Sequence, residues 1–89
     1  MNVYKRVHYS GRVQGVGFRY TAQGLAADYV VAGYVRNLAN GDVELVAEGP
    51  ADQVESFLAA IAQRMAPYIE RTTVEDATPG GHQGFRIRH

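Results

Sequence analysis

The sequence predicts an α+β fold of the ferredoxin-like kind, a βαββαβ sandwich whose antiparallel sheet carries two helices on one face and a short C-terminal strand. Three observations lead to it. The apolar pattern changes from period two to about 3.6 residues near Phe18. An Asn40-Gly41 pair, the strongest short hairpin signal, separates two apolar runs. A second helical stripe then precedes more extended chain.

Val3, Lys5, Val7, Tyr9, Gly11 and Val13 alternate with Tyr4, Arg6, His8, Ser10 and Arg12, so Val3 to Val13 reads as a strand with one mostly apolar face. Gln14 to Gly17 interrupts it. Phe18, Ala22, Leu25, Ala26 and Tyr29 then fall on one helical stripe, predicting a helix to about Tyr29 that Gly24 weakens slightly. Val31 to Leu38 and Asp42 to Glu48 are expected to pair as an antiparallel hairpin. Gly49-Pro50 opens a second helix, with proline at its first position and Val54, Phe57, Leu58, Ile61 and Met65 as its apolar face; Pro67 closes it. Tyr68 to Glu75 has strand character, Thr78 to Gly84 is a glycine-rich loop, and Phe85 to Arg88 alternates as the terminal strand.

This order brings distant residues together. The first two strands are joined through a helix, so they run in the same direction with the third between them, and their C-terminal ends reach one edge of the sheet. The loop at 14–19 and Asn37 are therefore expected about 10 Å apart at backbone level, two strand spacings. Asn37 shares the parity of Val35 and is expected on the helix-bearing face.

At 89 residues, without repeat or linker, the chain is expected to form a single domain over 1–89. Nine Lys and Arg balance nine Asp and Glu, so no long-range field draws nucleic acid or an anionic membrane, and any anion site must be local. The absence of cysteine removes disulfides, thiolate nucleophiles and sulfur-ligated metals, and is compatible with a reducing compartment. Neither a leader-type apolar segment nor a membrane-length apolar run is present, so a cytoplasmic location is expected, and size and charge are compatible with a monomer.

Gln14-Gly15-Val16-Gly17 lies between a strand and a helix start, where successive backbone N–H groups and the helix dipole can favour one anion. Arg19 adds a planar fork of donors suited to phosphate. The segment lacks the Gly-Lys-Ser/Thr half of a nucleotide P-loop and the spacing of a dinucleotide turn. On residue chemistry alone it competes with an ordinary glycine-bearing turn and a solvated arginine.

The string Gly11-Arg-Val-Gln-Gly-Val-Gly-Phe-Arg19, followed by Gly33-Tyr-Val-Arg-Asn37 and Gly41-Asp-Val-Glu44, closely resembles the signature segments of the acylphosphatase family, with matching separation. The resemblance extends to Phe85-Arg-Ile-Arg88. It implies the family's ferredoxin-like fold and hydrolysis of small acyl phosphates. It also makes Arg19 the phosphate-binding arginine, Gln14, Gly15, Val16, Gly17 and Phe18 the backbone cradle, and Asn37 the water-positioning residue. Two positions depart from the family pattern: Val30 replaces a usual glycine, which predicts a rebuilt exit from the first helix, and Tyr34 stands where tryptophan is frequent.

The implied chemistry needs few groups. Carboxylate is a weakly basic leaving group that requires no proton, and fixed N–H groups with one arginine can stabilise the equatorial oxygens without a metal or other cofactor. Asn37 cannot titrate, so its amide can only orient water; a phosphate oxygen of the substrate is the expected proton acceptor. The three histidines lack metal-ligand spacing, and His8, His82 and His89 read as sheet-face or surface residues. The His89 carboxylate either pairs with Arg19 or frays in water. Asp28, Asp42 and Glu44 read as solvated or turn carboxylates. An RNA-binding module stacking bases on Tyr4 and Tyr34, and a non-catalytic regulatory domain, are the weaker alternatives.

Overall fold

A computed structural model describes all 89 residues, Met1–His89. The elements are β1 (Asn2–Gly11), α1 (Phe18–Ala26), β2 (Ala32–Asn37), β3 (Val43–Pro50), α2 (Ala51–Arg64), β4 (Ile69–Asp76) and β5 (Phe85–Arg88). They form one five-stranded sheet in the order β4-β1-β3-β2-β5. The β4-β1, β1-β3 and β3-β2 pairs are antiparallel, as expected, whereas β5 lies parallel to β2 and makes the whole sheet mixed. No helix is long and apolar enough to cross a membrane.

Both helices pack on one face. Val7, Tyr9 and Val13, Val35, and Val43, Leu45 and Ala47 meet Phe18, Ala22 and Ala26 of α1 and Val54, Phe57, Ile61 and Met65 beside them, all within one buried cluster. These are the stripes expected from the sequence, with Leu25, Tyr29 and Leu58 partly buried at the margins. The rings of Tyr9 and Phe18 lie 4.9 Å apart, seating the start of α1 on β1.

The boundaries differ from expectation where turn chemistry intervenes. Strand β1 stops at Gly11, where its register with β4 shifts, and Val13 is buried in the core beyond the strand. Helix α1 ends at Ala26 because Ala27, Asp28 and Tyr29 donate to carbonyls only three residues back, tightening the last turn. Pro50 finishes β3 and stands at the N-cap position of α2, so the helix begins at Ala51, one residue later than predicted. At the α1 exit no non-glycine residue takes positive φ; Val30 is exposed, and its N–H donates to the Gln53 Oε1 at 2.9 Å. The exit is thus rebuilt through a side chain of α2.

The sheet's other face is polar. Glu44 accepts from the Tyr34 hydroxyl at 2.9 Å and from the Arg36 Nε at 2.7 Å, with the Arg6 Nε at 3.7 Å. It is a shielded hub, contrary to the solvated carboxylate expected. Burial alone would raise its pKa, but the bonds from Arg36 and Tyr34 and the charge of Arg6 hold it below the usual carboxylate range. A depressed carboxyl contributes stability above its unfolded pKa and loses that contribution as pH falls through the folded value. Glu44→Gln is therefore expected to lower stability by about 1–2 kcal/mol at neutral pH. Urea unfolding of both proteins should show that gap closing below about pH 4.

Candidate active site

Between β1 and α1 the chain turns on Gly15 and Gly17, whose φ values of +78° and +76° lie in the left-handed region that glycine enters without a Cβ penalty. Gly17 is the N-cap of α1, which has no side-chain cap. The helix's first backbone bond runs from the Thr21 N–H to the Gly17 carbonyl at 2.9 Å, and no backbone N–H from Gln14 to Tyr20 has a hydrogen-bond partner within the chain. Free N–H groups at the positive end of a helix can receive an anion.

Strand register brings Asn37 to the same place. Tyr9 pairs with Val43 and Val43 with Asn37, so the end of β2 sits two strands across from the end of β1. A cleft of about 150 Å³ at this edge is lined by Gln14, Gly15, Gly17, Phe18, Arg19 and Asn37, together with Val13 and Tyr20. The volume equals roughly five liquid water molecules, the scale of one small anion with water beside it. Of the residues expected here, only Val16 does not line the cleft; its side chain packs against the core.

The Arg19 guanidinium is held by the C-terminal end of the chain. Its Nη1 donates to the Arg88 carbonyl at 3.3 Å and to the His89 Nδ1 at 3.2 Å. Arg19 has no carboxylate within ion-pair distance. The open question of His89 is thus answered by its ring and the preceding carbonyl, with the terminal carboxylate uninvolved, and this histidine belongs to the site's surroundings. Strand β5 makes the contact because Arg88 pairs with Arg36, placing the next residue beside the end of β2. No sequence spacing signals that arrangement. Tyr20 was likewise hidden, since it lies off the apolar stripe of α1; it is 74% exposed yet borders the cleft.

His8 and His82 stay away from the cleft's lining, paired with Asp42 and with Glu48 respectively. No three His, Asp or Glu side chains converge as a metal set would. A wider cleft of about 350 Å³ opens at the opposite end of the sheet beside Val30, Glu48 and His82. It contains a carboxylate and no arginine or lysine, so it does not suit a phosphate. On the open sheet face the Arg88 guanidinium carbon lies 3.8 Å from the centre of the Tyr34 ring, covering the surface on which a base would stack.

Fold and cleft together define the class: a ferredoxin-like α+β domain with a small arginine-bearing cleft at the carboxyl ends of two co-directional strands. The family model for acylphosphatase matches residues 5–87. The chain is 54% identical over 89 residues to the acylphosphatase of Syntrophotalea carbinolica, covering 93% of this chain and 92% of that protein. It is 42% identical over 81 residues to the acylphosphatase of Methanospirillum hungatei, covering 89% of each. The crystal structure of acylphosphatase from Bacillus subtilis matches with a TM-score of 0.88 at 35% identity, over 100% of both chains. The chain belongs to the acylphosphatase family and is a hydrolase of that kind.

Proposed function

We propose that the protein hydrolyses the carboxyl–phosphate bond of small acyl phosphates without a metal, with Arg19 and the N–H groups of residues 14–18 holding the phosphate and Asn37 orienting the attacking water. The observation carrying this reading is the convergence of unpaired backbone N–H groups, an arginine free of any carboxylate partner and a non-titrating amide on one cleft. Fixed donors of this kind stabilise charge on the transferring phosphoryl group without reorganising. Opposite them, the Asn37 amide can both accept from and donate to a water, holding it in line with the phosphorus. The leaving carboxylate needs no proton, and the water's proton passes to a phosphate oxygen of the substrate. Neither a covalent enzyme intermediate nor a histidine base is required. The covered Tyr34 ring supports this reading over RNA stacking.

The test is hydrolysis of benzoyl phosphate by the purified protein, assayed with and without a chelator. Turnover is expected in both, at rates equal within error; loss of activity on chelation that returning metal restores would overturn the metal-free reading. Replacing His8 or His82 by alanine is expected to leave the rate within about threefold of wild type, the scale of indirect effects on a residue without a chemical role. A cytoplasmic monomer remains part of the proposal, and sedimentation of the purified chain tests its oligomeric half.

A further inference from the structure

The Gln14 side chain does not point its donors at the cleft's centre. Its Nε2 donates to the Leu38 carbonyl at 2.8 Å and to the Asp42 carbonyl at 2.9 Å. These carbonyls are the two ends of the β2–β3 turn, where the Leu38 N–H already donates to the Asp42 carbonyl at 2.8 Å. Both amide protons of Gln14 are therefore committed across a separation of 24 residues to Leu38. Gln14 lies one residue before Gly15, and Leu38 one residue after Asn37. A single side chain thus ties the start of the loop to the turn that directly follows the asparagine.

We infer that Gln14 is a positioning residue: its amide sets the distance between the phosphate held by the loop and the water held by Asn37. This rests on the proposed acyl phosphate hydrolysis. In-line attack requires water and phosphorus to be placed together, and a displacement of about 1 Å can cost about 100-fold in rate. The two halves of the site belong to different segments, and among side-chain hydrogen bonds only those of Gln14 join residues 14–19 to the β2–β3 turn. Phosphate binding itself draws on the loop N–H groups and Arg19, which the tie does not supply. Its loss should accordingly fall on kcat.

Two variants test the inference against the wild type, using benzoyl phosphate for turnover and inorganic phosphate as competitive inhibitor. Gln14→Met keeps the length and removes both donors; kcat is expected to fall about 10- to 100-fold while the inhibition constant of phosphate changes by less than about threefold. Gln14→Glu presents a carboxylate to two carbonyl oxygens, which is repulsive until the carboxyl is protonated and can donate one bond. The ratio of its kcat to that of wild type is expected to rise as pH falls from about 7 to about 5. His8 and Asp42 beside the turn, and His89 beside Arg19, are common to both proteins, so the ratio isolates position 14. A purely structural role would not produce a pH-dependent recovery of kcat at constant phosphate affinity.

If the folded Met variant keeps kcat within twofold of wild type, or loses phosphate affinity in proportion to kcat, the inference is wrong. Should the Met variant fail to unfold cooperatively, the pH ratio of the Glu variant decides. A flat ratio, or failure of both variants to fold, rejects a positioning role. A wild type without turnover overturns the proposed function instead, so the two failures are separable.

Discussion

Asn37→Ala is expected to lose nearly all hydrolysis of benzoyl phosphate while inorganic phosphate still binds. Truncation removes the only side-chain amide that faces the loop from the β2 end and leaves the unpaired N–H groups and Arg19 unchanged. The expected loss in kcat is about 10³-fold, at the upper range for removing a preorganised polar group from a transition state. Arg19→Ala should lose both properties. It deletes the one full positive charge in the cleft's lining, together with a fork that donates along two directions. Arg19→Lys should recover binding better than rate, because a point charge attracts phosphate but cannot reproduce the planar contact. Steady-state kinetics with phosphate as inhibitor resolve all three. If Asn37→Ala turns over at the wild-type rate, or loses phosphate affinity as Arg19→Ala does, the division of labour is wrong.

Gly33→Ala is expected to cost about 4 kcal/mol, summing overpacking against main-chain atoms and a disfavoured backbone conformation. Gly33 has φ +144°, and a Cβ there would stand 1.9 Å from the Val46 carbonyl oxygen and 2.8 Å from its carbon. Neither is the movable end of a side chain, so β2 must separate from β3 to make room. For a domain of this size the expected fall in melting temperature is about 20 °C. Gly24→Ala in α1 should do the reverse. Its added methyl meets nothing within 4 Å, and the gain in helix propensity is about 0.5–1 kcal/mol. Thermal unfolding of the pair therefore compares one chemical change with opposite signs.

The sequence expresses the fold well because most of it is written in periodicity. The stripes of α1 and α2, the alternation of β1 and the Asn40-Gly41 turn each have a local cause, and together they allow few topologies. Boundaries were less legible, since they depend on partners remote in sequence: Gln53 receives the N–H of Val30, and β4 determines where β1 changes register. At the site, Arg19 had a local rationale beside the glycines. Asn37 acquired one only when strand order placed it opposite. The side-chain contacts of Gln14 and the seating of Arg19 on Arg88 and His89 have no periodic signature, because each joins segments far apart in the chain. Glu44 misled because its shielding comes from the two strands that flank it, through Tyr34 on β2 and Arg6 on β1.

The unpaired N–H groups from Gln14 to Tyr20 carry a cost as well as a capacity. No group of the chain accepts from these donors, so a tetrahedral anion that does so would supply bonds the fold itself does not. On the proposed reading these donors face phosphoryl oxygens and not the acyl portion, so they are expected not to distinguish the group being cleaved from the phosphate released. Competitive product inhibition is therefore the expected outcome, with the measured rate falling as inorganic phosphate is added at fixed substrate. The same linkage makes phosphate a stabiliser: at 100 times its dissociation constant it should add about 2.7 kcal/mol to the folded state.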